Sequence, residues 1–242
     1  DRIAVTGRKF KNFVNLTTIT EPEAVEYATK LLIKDNSNYE ALVSAGGETI
    51  LVYQIGKDGK IKNVFTGNKC ASGTGAFFLQ QLGRMALSID DVINKEFNAK
   101  NAYNISGRCS VFCKSDCTHA LNKGIEKTHV VDGLCQMMAA KITELLTSLE
   151  RKNIILTGGI SKVRPIVECV RQNVDDLYIP DASDCFEAYG AAVWASEHET
   201  MPFPAENALF KKDVSSFDFL RPLTEAEHLV EFKDPQRGTA KD

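Results

Sequence analysis

The sequence lacks the features of a membrane or secreted protein. No apolar run approaches the roughly eighteen residues that a membrane-spanning helix needs. The N-terminal residues also lack the basic, apolar and small-residue order of a signal peptide. These absences predict a cytoplasmic protein without a membrane partner.

The chain also has little excess charge. Its 29 basic and 32 acidic residues give a net charge of −3, and the two signs are interspersed. This balance provides no strong electrostatic attraction to nucleic acid. We therefore expect no nucleic-acid partner.

Histidine is scarce, with four in 242 residues. The histidines show no paired zinc-ligand spacing, and none stands beside a serine or cysteine in a nucleophile motif. The sequence therefore identifies no catalytic residue. The histidines are His119, His129, His198 and His228.

Cysteine, in contrast, is well represented. An odd number, seven, occurs in a chain without a secretion signal, which favours metal or redox chemistry over a disulfide framework. With 43% apolar residues the chain can bury a sizeable core, as one α/β domain or as two small lobes.

Residues 1–66 are predicted to form a partial first lobe. A capping box at Thr20–Glu23 predicts the start of a helix. Three β-rich runs follow at 41–44, 49–55 and 61–65, separated by glycine turns, and predict a meander of three strands.

Residues 67–199 are predicted to form a second lobe, and residues 200–242 a linker or C-terminal arm. Apolar residues at helical spacing predict a long helix over Val130–Leu149, and a buried-type strand at Asn153–Leu156 precedes a glycine turn. Helix, strand and helix are then predicted over 163–170, 177–179 and 186–195, with small residues in the last helix permitting close approach to a neighbour.

Three glycine-containing turns are candidates for contact with a phosphate. Glycine lets the backbone approach a ligand, and amides at a helix start attract an anion. Each turn taken alone is more typical of simple tight turns. The candidate nucleotide-binding residues are Gly46, Gly47, Gly73, Thr74, Gly75, Gly158 and Gly159.

The order of these motifs resembles the actin, Hsp70 and sugar-kinase ATPase superfamily. Two longer motifs, Asn68–Gly75 and Ser106–Phe112, resemble the cysteine motifs of the 2-hydroxyacyl-CoA dehydratase activator family, the BadF/BadG/BcrA/BcrD-type ATPases. Thr157–Gly159 and Glu187–Ala192 extend the resemblance over residues 1–196. It implies an α/β, ribonuclease H-like, actin-like ATPase fold with a partial first lobe and a complete second lobe.

The resemblance also implies a function. Members of this family bind ATP with Mg²⁺ and form homodimers around one [4Fe–4S] cluster, which Cys70 and Cys109 would ligate here. Reduced ferredoxin or flavodoxin would be the electron donor, and an acyl-CoA dehydratase or reductase component the partner. Both cysteines stand before helical stretches, where amide dipoles stabilise a thiolate. The alternative is that both are buried structural thiols.

The remaining cysteines and several carboxylates are assigned structural roles. Cys113 and Cys117 follow Cys109 at intervals of four residues, so they could line one helix face as further ligands, although we favour packing. Packing is also expected for Cys135, Cys169 and Cys185. Asp90, Asp91, Asp116 and Asp132 are expected to be caps or to lie on solvated faces.

Two departures from the superfamily pattern bear on ATP hydrolysis. No Asp-x-Gly-Ser/Thr phosphate loop occurs before Arg2, and Ser44 stands where an acidic residue is common, with Glu48 as a substitute. Residues 219–227 resemble the connector of longer activases with two such modules, so we expect a piece of a larger protein. The alternatives are a sugar kinase and an inactive partner-binding module, which cluster content and ATP turnover would distinguish.

Overall fold

A five-stranded mixed sheet lies at the centre of the fold. The computed structural model describes residues 2–32, 38–67, 71–211, 225 and 229. The strands, including a separate parallel pair β1–β2, are β1 (Ala4–Val5), β2 (Thr17–Thr18), β3 (Ala41–Ala45), β4 (Ile50–Ile55), β5 (Ile61–Thr66), β6 (Lys152–Thr157) and β7 (Asp175–Tyr178). The strand order is β5-β4-β3-β6-β7, in which β3 is antiparallel to β4 and parallel to β6.

Helices cover both faces of this sheet. They are α1 (Glu21–Leu32), α2 (Gly75–Arg84), α3 (Ser110–Asn122), α4 (Lys127–Leu145), α5 (Arg164–Arg171) and α6 (Phe186–Glu197). Buried residues of α2 to α5 pack on one face, and buried residues of α1 and α6 on the other.

The alternation of side chains along β3 explains the two cores. Val43 and Ala45 face α2 to α5, whereas Leu42 faces α1 and α6, and all three are fully buried. Burying a side chain such as Leu42 contributes about 1.5–3 kcal/mol. A central strand covered on both faces is therefore apolar throughout, as the sequence of β3 is.

Helices α1 and α6 pack closely against each other. A Cβ at Gly190 of α6 would overlap the carbonyl of Ala24 in α1, and Ala28 and Ala191 are buried beside them. The small residues of α6 therefore do permit close approach to a neighbour. At the start of α1, the Thr20 hydroxyl accepts from the Glu23 amide at 3.3 Å, as the capping sequence predicts.

The sheet does not divide at the boundary that we predicted between residues 66 and 67. The predicted meander is present, but β3 also pairs with β6, with Val43 opposite Leu156. Strand β3 satisfies its backbone hydrogen bonds on both edges only through this pairing. The described residues therefore place β3 to β5 in the same sheet as β6 and β7.

The described start of the predicted C-terminal arm is hydrogen-bonded to the N-terminal segment. The amide of Asn15 donates to Leu209 at 2.9 Å, and the amide of Lys211 donates to Phe13 at 2.8 Å. The connector-like residues 219–227, apart from Glu225, lie outside the described residues. Of the helices that the structure describes, none has both the length and the apolar composition for crossing a bilayer.

Candidate nucleotide site and cysteine motifs

Two of the glycine turns meet at one edge of the sheet. Strands β3 and β6 are parallel neighbours with Ser44 opposite Thr157, so both end at the same edge. Gly46 and Gly158 follow directly beyond these ends. In open α/β sheets, ligands bind outside the carboxyl ends of parallel strands.

Gly158 has a backbone conformation that favours glycine. Its φ is +85°, and a Cβ there would overlap the carbonyl of Ala45. Its amide donates to the carbonyl of Ser183 at 2.6 Å. The turn after β6 is therefore held against the end of β3 and against the segment before α6.

The third glycine turn joins the same edge through the start of α2. The amide of Gly75 donates to Gly46 at 3.1 Å, and the amide of Ala76 donates to Gly47 at 2.9 Å. Thr74 is the N-cap residue, and its hydroxyl accepts from the amide of Phe77 at 3.3 Å. All three predicted turns thus converge on the end of β3.

An open cavity of about 350 Å³ lies beside this edge. Gly46 and Gly47 contribute to its wall, and a Cβ at Gly47 would meet no atom of another part of the chain within 4 Å, so its α-carbon faces open space. The other predicted nucleotide-binding residues, Gly73, Thr74, Gly75, Gly158 and Gly159, are not part of this wall. Its polar lining consists of Arg8, Lys9, Glu21, Ser44, Glu48, Thr49, Tyr53 and Glu187.

Charged groups from four segments meet around the cavity. Glu21 accepts from the amide of Arg8 at 3.1 Å and pairs with its guanidinium at 3.5 Å. Glu48, named above as a substitute for an acid at position 44, pairs instead with Lys9 at 2.8 Å. Burial, with the charges of Glu21 and Glu187, raises the pKa of Tyr53 far above its usual value.

Sequence reasoning missed the carboxylate that reaches position 44. The Ser44 hydroxyl donates to Oε1 of Glu187 at 2.6 Å, from the first turn of α6. From the sequence alone, Glu187 belongs to the family-like motif Glu187–Ala192, and no pattern assigns it a role. The available signal was an uncharged residue at position 44 together with an acidic residue at the start of a later helix.

The two cysteine motifs approach one another across α4. A Cβ at Gly73 would lie 3.5 Å from Cβ and Cγ of Lys141, and a Cβ at Gly107 would lie 3.5 Å from its Cε. Gly73 belongs to the motif of Cys70 and Gly107 to that of Cys109, and the side chain of Lys141 lies between them. Cys70 itself lies outside the described residues.

Cys109 stands at the start of α3. It is the N-cap residue of this 13-residue helix and is half-buried, with no disulfide partner. The two large apolar residues of the first turn, Val111 and Phe112, are 71% and 58% exposed.

The other cysteines divide into buried and exposed thiols. Cys113 and Cys117 are buried in the main core, and a hydrogen bond from the Cys113 thiol lowers the pKa of Cys117. Cys135 and Cys169 are also buried. Our expectation for Cys185 was wrong, because this residue lies in the short turn before α6 and is exposed.

The carboxylates near the cysteine motifs have structural partners. Asp116 accepts from the amide of Ser106 at 2.8 Å. Asp132 is not on a solvated face, since its side chain is 2% exposed and pairs with Lys95 at 2.6 Å. Within the described parts of the chain, no group of three or more His, Cys, Asp or Glu side chains is placed to hold a metal ion.

The sheet order and its glycine-lined edge fit the actin-like ATPase fold, and solved structures share this fold. An activator of the 2-hydroxyisocaproyl-CoA dehydratase from Clostridium difficile, solved with bound ADPNP, superposes with a TM-score of 0.72 at 19% identity, covering 97% of this chain and 78% of that one. Component A of the Acidaminococcus fermentans (R)-2-hydroxyglutaryl-CoA dehydratase gives a TM-score of 0.65 at 19% identity, covering 75% and 69%.

The chain belongs to the BadF/BadG/BcrA/BcrD ATPase family, whose model matches residues 14–195. The 2-hydroxyisocaproyl-CoA dehydratase activator of Clostridioides difficile is 24% identical over 156 residues, which are 64% of this chain and 59% of that protein. The activator of lactoyl-CoA dehydratase of Anaerotignum propionicum is 26% identical over 159 residues, covering 64% and 61%. A subunit of the benzoyl-CoA reductase of Thauera aromatica is 23% identical over 215 residues, covering 81% and 76%.

The chain therefore spans about 60% of the length of the dehydratase activators that it matches. The family match and the fold confirm the class that the glycine and cysteine motifs predict.

Proposed function

We propose that this chain is the nucleotide-binding part of an ATP-dependent iron–sulfur activator. The complete protein would pass low-potential electrons to a 2-hydroxyacyl-CoA dehydratase or a related CoA-ester reductase. The observation that carries this proposal is the convergence of three glycine turns on the end of β3 in a chain of this ATPase family. Relatives named as dehydratase activators support the choice of partner.

The backbone at the sheet edge suits phosphate binding. Gly47 has no side chain to fill the cavity, and the start of α2 adjoins it through the hydrogen bond between Ala76 and Gly47. A helix start favours an anion through its dipole, although the amides of Gly75, Ala76 and Phe77 already donate within the chain. We propose that the candidate glycines and Thr74 surround ATP with its Mg²⁺, with Gly158 and Gly159 on the side of β6.

Two features of the described residues support the proposal of an iron–sulfur site. Cys109 is half-buried at a helix start, and the side chain of Lys141 lies between the glycines that belong to the two cysteine motifs. We propose that Cys70 and Cys109 are ligands of a [4Fe–4S] cluster. When bound, such a cluster would supply a one-electron carrier of low potential.

Two cysteines leave half of a four-thiolate set to be supplied by another chain. A two-fold axis through the cluster would provide the other two ligands from a second copy. The exposed apolar pair Val111 and Phe112 beside Cys109 supports contact at this point. We propose a cytoplasmic homodimer that receives electrons from reduced ferredoxin or flavodoxin.

Equilibrium binding of ATP and ADP to the anaerobically purified chain tests the nucleotide site. The matched variants are Gly47→Val and Gly83→Val, because a Cβ at either glycine would meet no atom of another part of the chain within 4 Å and neither glycine has a positive φ. Gly47 lines the cavity, whereas Gly83 is exposed on α2.

We expect Gly47→Val to weaken binding at least about tenfold, since the new side chain would occupy ligand space at a cost of at least about 1.4 kcal/mol. Gly83→Val should bind as the parent chain does. Failure of the parent chain to bind either nucleotide would contradict the proposal and favour a module that kept the fold without the site. If Gly47→Val binds nucleotide as tightly as Gly83→Val and the parent chain do, the nucleotide does not bind beside Gly47.

A further inference from the structure

The hydrogen bond between Ser44 and Glu187 joins two parts of the molecule that are 143 residues apart in sequence. Ser44 is the second-to-last residue of β3, shortly before the Gly46–Gly47 turn, and Glu187 lies in the first turn of α6. Both side chains are half-buried and both line the cavity. The Glu187 carboxylate therefore lies beside residue 44. An acidic side chain at residue 44 itself would place its carboxylate in the same part of the cavity.

The other two cavity carboxylates already have cationic partners. Glu21 pairs with Arg8, and Glu48 pairs with Lys9. Among the residues that the structure describes, no basic side chain pairs with Glu187. Its negative charge is thus the one that the described cavity wall leaves without a compensating cation.

We propose that Glu187 supplies the carboxylate that binds the Mg²⁺ of the bound nucleotide, and that Ser44 positions it. This inference rests on the proposed nucleotide site. Magnesium is bound in proteins by one or two carboxylates together with phosphates and water, a set that the cavity offers with a nucleotide present. The Ser44 hydroxyl bonds Oε1, so Oε2 can face the metal directly or through water.

The arrangement also accounts for an uncharged residue at position 44. An acidic side chain at this position would stand within hydrogen-bonding distance of Glu187, where two like charges repel. A serine instead donates to the carboxylate and fixes its rotamer. The negative charge is therefore kept in the cavity but comes from α6 rather than from β3.

The test compares ADP affinity with Mg²⁺ and with EDTA, using isothermal titration calorimetry on the full chain. The variants are Glu187→Gln, the double exchange Ser44→Asp with Glu187→Ser, and Glu197→Gln as a control. Glu197 ends the same helix and is exposed. Glutamine keeps an acceptor for Ser44, so the fold at this point is preserved while the charge is removed.

We expect Mg²⁺ to tighten ADP binding at least about tenfold in the parent chain and in Glu197→Gln. In Glu187→Gln this tightening should disappear, while binding in EDTA stays within about twofold of the parent. In the double exchange the carboxylate is at position 44 and the hydroxyl at position 187. This variant should restore most of the Mg²⁺ effect. Electron paramagnetic resonance of Mn²⁺ in the presence of ADP detects metal binding at the site directly and does not depend on ATP turnover.

The possible failures are distinguishable. If the parent chain binds ADP more tightly with Mg²⁺ and Glu187→Gln does so equally, the role of Glu187 is wrong and the nucleotide site stands. If the parent chain binds no ADP in either condition, the nucleotide site and this inference both fail. If Glu187→Gln also loses binding in EDTA, the carboxylate supports the site structurally, and the metal role is rejected unless the double exchange restores the Mg²⁺ effect.

Discussion

Gly158 lies directly against the carbonyl of Ala45, and this contact joins the ends of two parallel strands. Gly158 belongs to the turn after β6, and Ala45 is the last residue of β3, more than a hundred positions away in the sequence. A left-handed backbone at Gly158, with φ of +85°, makes the contact possible. The glycine therefore serves the packing of the site as well as any approach of a ligand.

Replacing Gly158 with alanine should destabilise the protein. The new Cβ would overlap the Ala45 carbonyl in a backbone conformation that alanine disfavours, so we expect the free energy of unfolding to fall by about 2 kcal/mol or more. Urea unfolding followed by circular dichroism measures this change. Gly83→Ala is the control and should raise the free energy by roughly 0.5–1 kcal/mol through helix propensity.

The iron and acid-labile sulfide content of the protein should depend on Cys70 and Cys109. After anaerobic purification or reconstitution, the parent chain should hold about four irons per dimer, the content of one shared cluster. Cys70→Ser and Cys109→Ser should each lose the iron. Cys185→Ser should retain it, because Cys185 is an exposed thiol outside both motifs. No iron in the reconstituted parent chain would reject the shared cluster.

The buried ion pair of Asp132 and Lys95 should matter more than a surface pair. Asp132→Ala leaves a largely buried ammonium without its carboxylate, and we expect a loss of about 3 kcal/mol in the free energy of unfolding. Asp184→Ala removes the exposed partner of Lys162 and should cost less than about 1 kcal/mol. Similar losses in the two variants would contradict the burial of the Asp132 pair.

Thiol alkylation of the native protein should discriminate between cysteines. Among the cysteines that the structure describes, Cys185 is the exposed one and should react first. Burial, with the charges of Asp132 and Glu168, raises the pKa of Cys169 to about 12, so this thiol stays protonated near neutral pH. Peptide mass spectrometry after brief labelling, with urea-unfolded protein as the reference, measures the order. Labelling of Cys169 as fast as Cys185 would contradict its burial.

The raised pKa of Cys169 predicts that the protein loses stability at alkaline pH. The pKa of Cys169 is raised in the folded state from 9.0 to about 12, so the folded form holds its proton more tightly. Its contribution is complete below pH 9 and is lost as the pH rises through the folded pKa. Cys169→Ala should therefore flatten the fall of the urea midpoint above pH 9, which unfolding at several pH values would test.

Local patterns in the sequence determined most of the secondary structure and the candidate turns. The capping residues at Thr20–Glu23 and the apolar spacing of α4 predict helices because both signals act within a few residues. The long helix nevertheless ends at Leu145 rather than at residue 149, because the backbone leaves the helical conformation at Leu146. The cysteine and glycine motifs were sufficient to indicate the family.

Only the tertiary structure decided which residues meet at the site. Pairing of β3 with β6 joins distant segments, and no local preference specifies this register. It brings Gly158 against Ala45 and unites both predicted lobes in one sheet. The contact of Ser44 with Glu187 follows from where α6 packs on that sheet, since a hydrogen bond between distant residues leaves no periodic signal in either segment.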